Sequence, residues 1–192
     1  ALHIARTRPE RVRSLTLVEP SAFHLLRNGD ATDLAALREI MSVAADASAA
    51  LAIGDYSGGF GRFVDYWSGP GSWAEMAPEK RAAFAPQLAK VVLDFHALFS
   101  EPAGIEDVCD IALPTLLVQG GFTTLPSRCV CARLRMALPE ATFRVVQGAG
   151  HMLPVTHRDQ VNALIADHVQ ANSPTAFDSR PARSREPEAL TI

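Results

Sequence analysis

The segment most informative about the architecture is Leu113-Pro114-Thr115-Leu116-Leu117-Val118-Gln119-Gly120. Its continuous apolar run between a proline and a glycine is typical of a buried strand. A helical pattern follows from about residue 127 to 138, and a second strand pattern covers 142–146. Because a strand, a helix and a strand in succession form a right-handed parallel crossover, the sequence predicts an α/β fold with a parallel sheet.

A further strand is predicted upstream of this unit. Residues 12–18 are rich in apolar and β-branched side chains, and Glu19-Pro20 bounds their apolar end. Residues 1–5 have helical spacing, and a breaker at 8–11 separates them from the strand. The chain is therefore expected to begin inside a helix that leads into this strand.

The long segment between the two strand regions is predicted to be helical and aromatic. Residues 30–53 form one amphipathic helix, which Thr32 can cap and Gly54 ends. Short helices joined by turns are expected over 56–77, and a further helical region starts at Pro78 and is interrupted at Pro86.

The C-terminal part begins with a glycine-rich loop. Gly148-Ala149-Gly150-His151 follows the last strand, and a helix is expected from about 157 to 169. The residues after it lack periodicity and predict a disordered tail. The expected division is a first core part at 1–29, a helical insertion at 30–110, a second core part at 111–171 and the tail at 172–192.

Composition limits the classes of function. The 192 residues suit one medium domain, and 48% hydrophobic with 20% charged residues indicates a packed core. A net charge of −3 without a basic run argues against nucleic-acid binding. No membrane-spanning run or signal peptide is recognisable, and three cysteines without framework spacing favour a reducing compartment. We expect a cytoplasmic protein without a structural disulfide.

Three segments in this order resemble the α/β-hydrolase fold family. They are residues 9–20, residues 113–120 and the Gly148–Met152 loop. In that family they match the strand after the nucleophile helix, the strand that usually ends in the catalytic acid, and the loop with the catalytic histidine. The resemblance covers about residues 1–171 and implies that the insertion at 30–110 is a helical cap.

The resemblance also implies where the nucleophile lies. In this family a Gly-x-Ser-x-Gly elbow precedes the helix to which residues 1–5 correspond, so nucleophile and oxyanion hole are expected upstream of Ala1. Gly54-Asp55-Tyr56-Ser57-Gly58 is a poor substitute, because its serine stands three residues after the glycine and no strand precedes it. On this reading the sequence is a fragment that is inactive alone.

Two residues are candidates for acid–base chemistry. His151, on a glycine loop at a strand end, can act as the base if a carboxylate holds its second ring nitrogen. The resemblance places an acid after the strand ending at Gln119, but no Asp or Glu occurs between Asp110 and Glu140. Some family members take the acid from the preceding strand end, which is Glu19 here. The alternative for Glu19 is a carboxylate that is solvated or bonded to a backbone amide.

Aromatic residues of the insertion suggest a binding site for an apolar substrate. Most of them should form the core of the cap, and a few should contact ligand. Cys129 and Cys131 point different ways on a helix and have no ligand partners nearby, so no metal and no cofactor are expected. The candidate substrate-binding residues are Phe63, Trp67, Trp73, Phe95 and Met152.

The sequence therefore predicts an enzyme that hydrolyses a small apolar substrate, at an ester or related bond, with His151 and Glu19 as catalytic residues. The alternative is a non-catalytic relative that binds a ligand or partner. A third possibility is a gene fragment without a stable fold, whose uncovered sheet edge would promote aggregation or oligomerisation. A Glu19 carboxylate within hydrogen-bonding reach of His151 favours the enzyme, and a Glu19 directed at solvent favours the binder.

Overall fold

A computed structural model of the chain describes residues 1–173. The chain folds around a three-stranded parallel sheet in the order β1-β2-β3. Its strands are β1 (Leu15–Val18), β2 (Thr115–Gly120) and β3 (Thr142–Val146). The predicted parallel α/β architecture is confirmed. Residues 174–192, which hold most of the predicted tail, lie outside the described residues.

The strand register aligns the carboxyl ends of all three strands. Val18 pairs with Val118, and Gly120 pairs with Val146. The loops after the strands therefore meet at one edge, the usual place for a site in an open parallel sheet. The first strand starts at Leu15 and not at residue 12, because its pairing with β2 begins where Leu15 lies opposite Thr115, the first residue of β2.

The sheet has an apolar layer on each face, because successive side chains of a strand point to opposite sides. Leu15, Leu17 and Leu117 belong to the larger core. Leu116 and Val118 face the smaller core, beneath the last helix. This two-sided burial explains why β2 reads as a continuous apolar run.

Helices fill the chain between β1 and β2. The longest begins at Ala31 with Asp30 as its cap, not Thr32: Asp30 accepts from the backbone of Thr32 and Asp33, and the Asp33 carboxylate accepts from the Asp30 N–H. This reciprocal capping box satisfies donors that Thr32 would leave unpaired. The helices are α2 (Ala31–Ala52), α3 (Tyr56–Ser68), α4 (Ser72–Glu75), α5 (Pro78–Phe84), α6 (Leu88–Ser100) and α7 (Glu106–Cys109).

The remaining helices flank the strands. Helix α1 (Leu2–Thr7) precedes β1, and α8 (Leu125–Ala137) joins β2 to β3. Helix α8 starts two residues earlier than predicted because Pro126 is accommodated in its first turn. Helices α9 (Leu153–Thr156) and α10 (Arg158–Ala171) follow the glycine-rich loop. Within residues 1–173, no helix combines the length and apolar character needed to cross a bilayer.

Both outer strands of the sheet have an unpaired edge within the described residues, and the edge at β1 lies beside a cavity. In the described part of the chain, β1 pairs only with β2, so its other side presents unpaired backbone groups. A cavity of about 640 Å³ lies beside this strand and is lined in part by Thr16, Leu17 and Val18. An open edge of this kind favours pairing with another strand. Aggregation or oligomerisation of the chain by itself stays a prediction.

Candidate active site

Glu19 occupies a strained position directly after β1. Its φ of 46° is the only positive φ of a non-glycine residue in residues 1–173. A left-handed backbone costs an L-residue about 1–3 kcal/mol and persists where the surroundings hold it. The Glu19 N–H still donates to the Val118 carbonyl at 3.0 Å, which continues the ladder of the sheet. The turn directs the side chain inward, and only 2% of it is exposed.

The buried Glu19 carboxylate is held by three donors. The Gly120 N–H donates to Oε1 at 2.7 Å, and the Thr123 hydroxyl donates to Oε2 at 2.6 Å. His151 Nδ1 lies 3.0 Å from the same Oε2. A buried carboxylate needs such partners to offset its lost hydration. The set of bonds suits an ionised Glu19 that accepts from every neighbour.

The His151 loop is fastened to the end of β2. The Gly121 N–H donates to the Val146 carbonyl, and the Phe122 N–H donates to the Ala149 carbonyl. Gly120 allows this approach, since a Cβ there would lie 2.6 Å from the carbonyl oxygens of Ala149 and Gly150. The absence of a side chain at Gly120 therefore lets the end of β2 and the segment after it lie against the loop that carries His151.

The His151 ring is bound on one side and open on the other. Its Nδ1 contacts Glu19 Oε2 and also lies 3.3 Å from the Ser127 hydroxyl oxygen. In residues 1–173 the hydrogen bonds of the ring all involve Nδ1. The side chain is 17% exposed and lines an apolar cavity. Because a carboxylate can only accept, the contact with Glu19 requires a proton on Nδ1 and leaves Nε2 as an acceptor.

Trp67 covers the His151 ring from the helical insertion. The two ring centroids lie 3.9 Å apart with an interplanar angle of 32°. Tyr66 packs edge-on against Trp67 at 4.7 Å, and its hydroxyl donates to Glu39 at 2.8 Å. Burial and the neighbouring Glu39 carboxylate raise the pKa of Tyr66 well above its usual range. Tyr66 therefore acts as a neutral brace that holds the indole against the imidazole.

A cavity of about 410 Å³ extends from His151 into the insertion. Its walls are mainly aromatic and aliphatic, with Ser21, Ser68 and Asp94 among the polar lining residues. A small number of polar groups in an apolar pocket is typical of small-molecule sites. The aromatic wall residues are Phe23, Phe60, Phe63, Trp67, Phe84 and Phe95.

The structure brings most of the predicted site residues together. His151 and Glu19 are in contact, and the cavity beside them is lined by Phe63, Trp67, Phe95 and Met152. Trp73 is the exception and is not among the lining residues. Its indole fills the space over Gly61, where a Cβ would lie 2.6 Å from the ring, and it packs on Phe60 at 5.7 Å. Trp73 supports the wall from behind because Gly61 offers no side chain to exclude it.

Cys131, on α8, is fully buried. Burial and the charge of Glu19 raise the pKa of its thiol to about 12. The thiol is therefore neutral and behaves as a small apolar side chain. Within residues 1–173, no group of three or more His, Cys, Asp or Glu is arranged to hold a metal ion.

Sequence reasoning missed two residues of the site. Thr123 and Ser127 are buried hydroxyl residues on the segment after β2, and they contact Glu19 and His151 respectively. The available signal was local, because polar residues directly after a buried strand of a parallel sheet lie where sites form.

Comparisons with known proteins identify structural but not sequence relatives. A scan against protein-family models and a search of curated proteins give no match. Among solved structures, Est816, described as an N-acyl homoserine lactone degrading enzyme, matches with a TM-score of 0.59 and 21% identity. The match covers 87% of this chain and 62% of that chain. This chain thus spans less than two thirds of the length of Est816.

Two further solved structures match with lower TM-scores. One, assigned as a non-heme bromoperoxidase, BpoC, from Mycobacterium tuberculosis H37Rv, matches at 15% identity and a TM-score of 0.49, covering 90% of this chain and 63% of that chain. The other, E-2-(acetamidomethylene)succinate hydrolase, matches at 16% identity and a TM-score of 0.48, covering 88% and 62%. The similarity to Est816 shows that this chain shares its fold.

Proposed function

We propose that this chain, which has part of the α/β-hydrolase fold, carries the acid–base half of a hydrolytic active site. His151 is the proposed general base and acid, and Glu19 is the proposed orienting carboxylate. The observation that carries the proposal is the 3.0 Å contact between His151 Nδ1 and a Glu19 carboxylate that is 2% exposed. A buried carboxylate beside one ring nitrogen is the arrangement that an orienting acid needs.

The proposed reaction uses a nucleophile supplied by a segment that precedes this chain. His151 Nε2 accepts the proton as a serine hydroxyl attacks, or activates a water if the nucleophile is an aspartate. Glu19 stabilises the imidazolium that forms and keeps the proton of the neutral ring on Nδ1. With a serine nucleophile, His151 returns the proton to the leaving group and then takes a proton from the water that hydrolyses the acyl intermediate. The type of nucleophile distinguishes ester, lactone, epoxide and carbon–carbon bond cleavage.

The cavity supports a small, mostly apolar substrate. A volume of about 410 Å³ is within the range of small-molecule sites, and the aromatic walls bury apolar groups. Trp67 belongs to the insertion and contacts His151 directly, so the insertion serves as a cap that covers the reacting bond. Exclusion of water there would strengthen the Glu19 to His151 interaction.

The alternative of a non-catalytic binding module is favoured by a Glu19 side chain directed at solvent. Glu19 is instead buried and bonded to the histidine. The geometry therefore favours the enzyme, and the apolar cavity is expected to bind substrate, not a partner protein.

The test is hydrolysis of a generic aryl ester by the active protein of which this chain is proposed to be a part. His151→Ala is expected to lower kcat/KM by about 10⁴-fold or more. His157→Ala is the matched control, because His157 contacts Thr156 and not Glu19, and its activity should remain near wild type. Retention of activity within tenfold by His151→Ala would reject the proposal.

The origin of the nucleophile has its own test. Ser21 and Ser68 are serines that line the cavity with His151. A fluorophosphonate probe applied to the 192-residue chain should label neither of them if the nucleophile lies upstream. Covalent labelling of Ser21 or Ser68, located by peptide mass spectrometry, would contradict that assignment.

A further inference from the structure

Thr123 touches the proposed acid from the side opposite Gly120. Its hydroxyl lies 2.6 Å from Glu19 Oε2, and its side chain is buried. Because an ionised carboxylate only accepts, the hydroxyl must donate, and the resulting bond is charge-assisted. Gly120 holds Oε1 and Thr123 holds Oε2, so two donors of one loop fix the rotation of the carboxylate.

The loop of Thr123 is itself tied to the loop of His151. Backbone bonds join Gly121 to Val146 and Phe122 to Ala149. Glu19 and Thr123 are 104 residues apart in sequence. The two backbone hydrogen bonds fix the loop of Thr123 to the segment that carries His151. Thr123 can therefore align the acid with the base.

A second hydroxyl competes for the same ring nitrogen. The Ser127 oxygen lies 3.3 Å from His151 Nδ1, and a hydroxyl can donate as well as accept. If Ser127 donates to Nδ1, the proton of the neutral ring moves to Nε2, which can no longer accept a proton from a nucleophile. If Glu19 accepts from Nδ1, Nε2 is free. The site thus contains two tautomeric arrangements, and the position of Glu19 Oε2 selects between them.

We propose that Thr123 is a positioning residue that holds Glu19 Oε2 against His151 Nδ1, so that the neutral imidazole keeps its proton on Nδ1. The inference rests on the proposed function for its importance in hydrolysis, but the contact and the tautomer are properties of this chain alone. No substrate is needed to measure them.

The experiment is ¹⁵N NMR of the histidine ring nitrogens in the labelled active protein of which this chain is proposed to be a part, at about pH 8, where an ordinary imidazole is neutral. The wild-type His151 is expected to show a protonated Nδ1 and an unprotonated Nε2. Thr123→Val keeps the shape and removes the hydroxyl, and should lower the ratio of Nδ1–H to Nε2–H tautomers by about tenfold. Thr123→Ser restores the donor and should restore the wild-type spectrum.

A matched control separates the hydroxyl from general effects on packing. Thr115 is also buried, but its hydroxyl donates to the Leu113 carbonyl at the other end of β2. Thr115→Val should leave the ring nitrogens of His151 unchanged. A second test of the competition is Thr123→Val combined with Ser127→Ala, which removes the competing donor and should return the proton to Nδ1.

Two outcomes separate this inference from the proposed function. A folded Thr123→Val chain that keeps the wild-type tautomer ratio would overturn the role of Thr123, whatever the activity of His151→Ala. A tautomer that shifts in Thr123→Val, together with full hydrolysis by His151→Ala in the active protein, would reject the function and leave the positioning contact standing. In the active protein, Thr123→Val should lower kcat by about tenfold or more with KM little changed.

Discussion

The contact between Glu19 and His151 makes Glu19→Gln an informative substitution. The exchange keeps the size of the side chain and removes its charge. In the structure the carboxylate accepts from Gly120, Thr123 and His151 at 2.7, 2.6 and 3.0 Å. A glutamine has one oxygen to accept and one amide nitrogen that only donates. Both orientations of the amide therefore conflict with at least one of these donors.

The less costly orientation also gives the wrong tautomer. If the amide nitrogen faced the Gly120 N–H, two donors would meet in a buried place, at a cost of about 1–3 kcal/mol. The amide oxygen should therefore face Gly120, and the amide nitrogen should face Thr123 and His151. Thr123 can rotate its hydroxyl to accept. His151 Nδ1 must then accept as well, which moves the ring proton to Nε2 and disables the base.

The expected loss in kcat/KM is about 10³- to 10⁴-fold, or roughly 4–5.5 kcal/mol of transition-state stabilisation. The assay is steady-state hydrolysis of an aryl ester by the active protein, with circular dichroism to verify the fold. Glu140→Gln, at an exposed glutamate ahead of β3, is the control for loss of one negative charge. Activity of Glu19→Gln within tenfold of wild type would refute the reasoning from donors and acceptors.

Three other predictions follow from contacts elsewhere in the molecule. Gly120→Ala should lower the free energy of unfolding in urea by about 1–3 kcal/mol, because its Cβ would meet two backbone carbonyl oxygens at 2.6 Å. Gly121→Ala should lower it less, because the atom nearest to its Cβ would be 3.3 Å away. Equal losses in the two variants would argue against the close approach of the loops. Burial lowers the pKa of His24, so its contribution to stability is present above about pH 6.5 and is lost as the pH falls below it. The melting temperature of His24→Leu should therefore fall less than that of wild type between about pH 7 and 5. Melting temperatures that fall equally in the two proteins would contradict this. Iodoacetamide should alkylate the exposed Cys109 in the native chain but not the buried Cys131, whose pKa is raised to about 12. Early modification of Cys131, located by peptide mass spectrometry, would contradict its burial.

Local sequence patterns were sufficient for the strands, most helices and the glycine-rich loop. The apolar run at 115–120 and the helical period of 31–52 depend on neighbours within a few residues, so both elements can be predicted from the local sequence. The ends of the elements were harder to predict. Asp30 and Thr32 are both good caps, and the structure selects Asp30 because its carboxylate accepts from the backbone N–H groups of Thr32 and Asp33.

The sequence by itself determined which side chains could do chemistry, and it could nominate His151 because a histidine on a glycine loop after a strand is a local feature. It left Glu19 open between two roles. Only the tertiary structure shows that the Glu19 carboxylate contacts His151 as well as a backbone amide, since Glu19 and His151 are 132 residues apart and meet through the parallel register of β1 and β2 and the bare backbone at Gly120. The same long-range packing brings Thr123 to the carboxylate and places Trp73 behind the cavity wall. A contact between residues so far apart in sequence depends on how whole helices and strands pack, and short-range periodicity does not predict it.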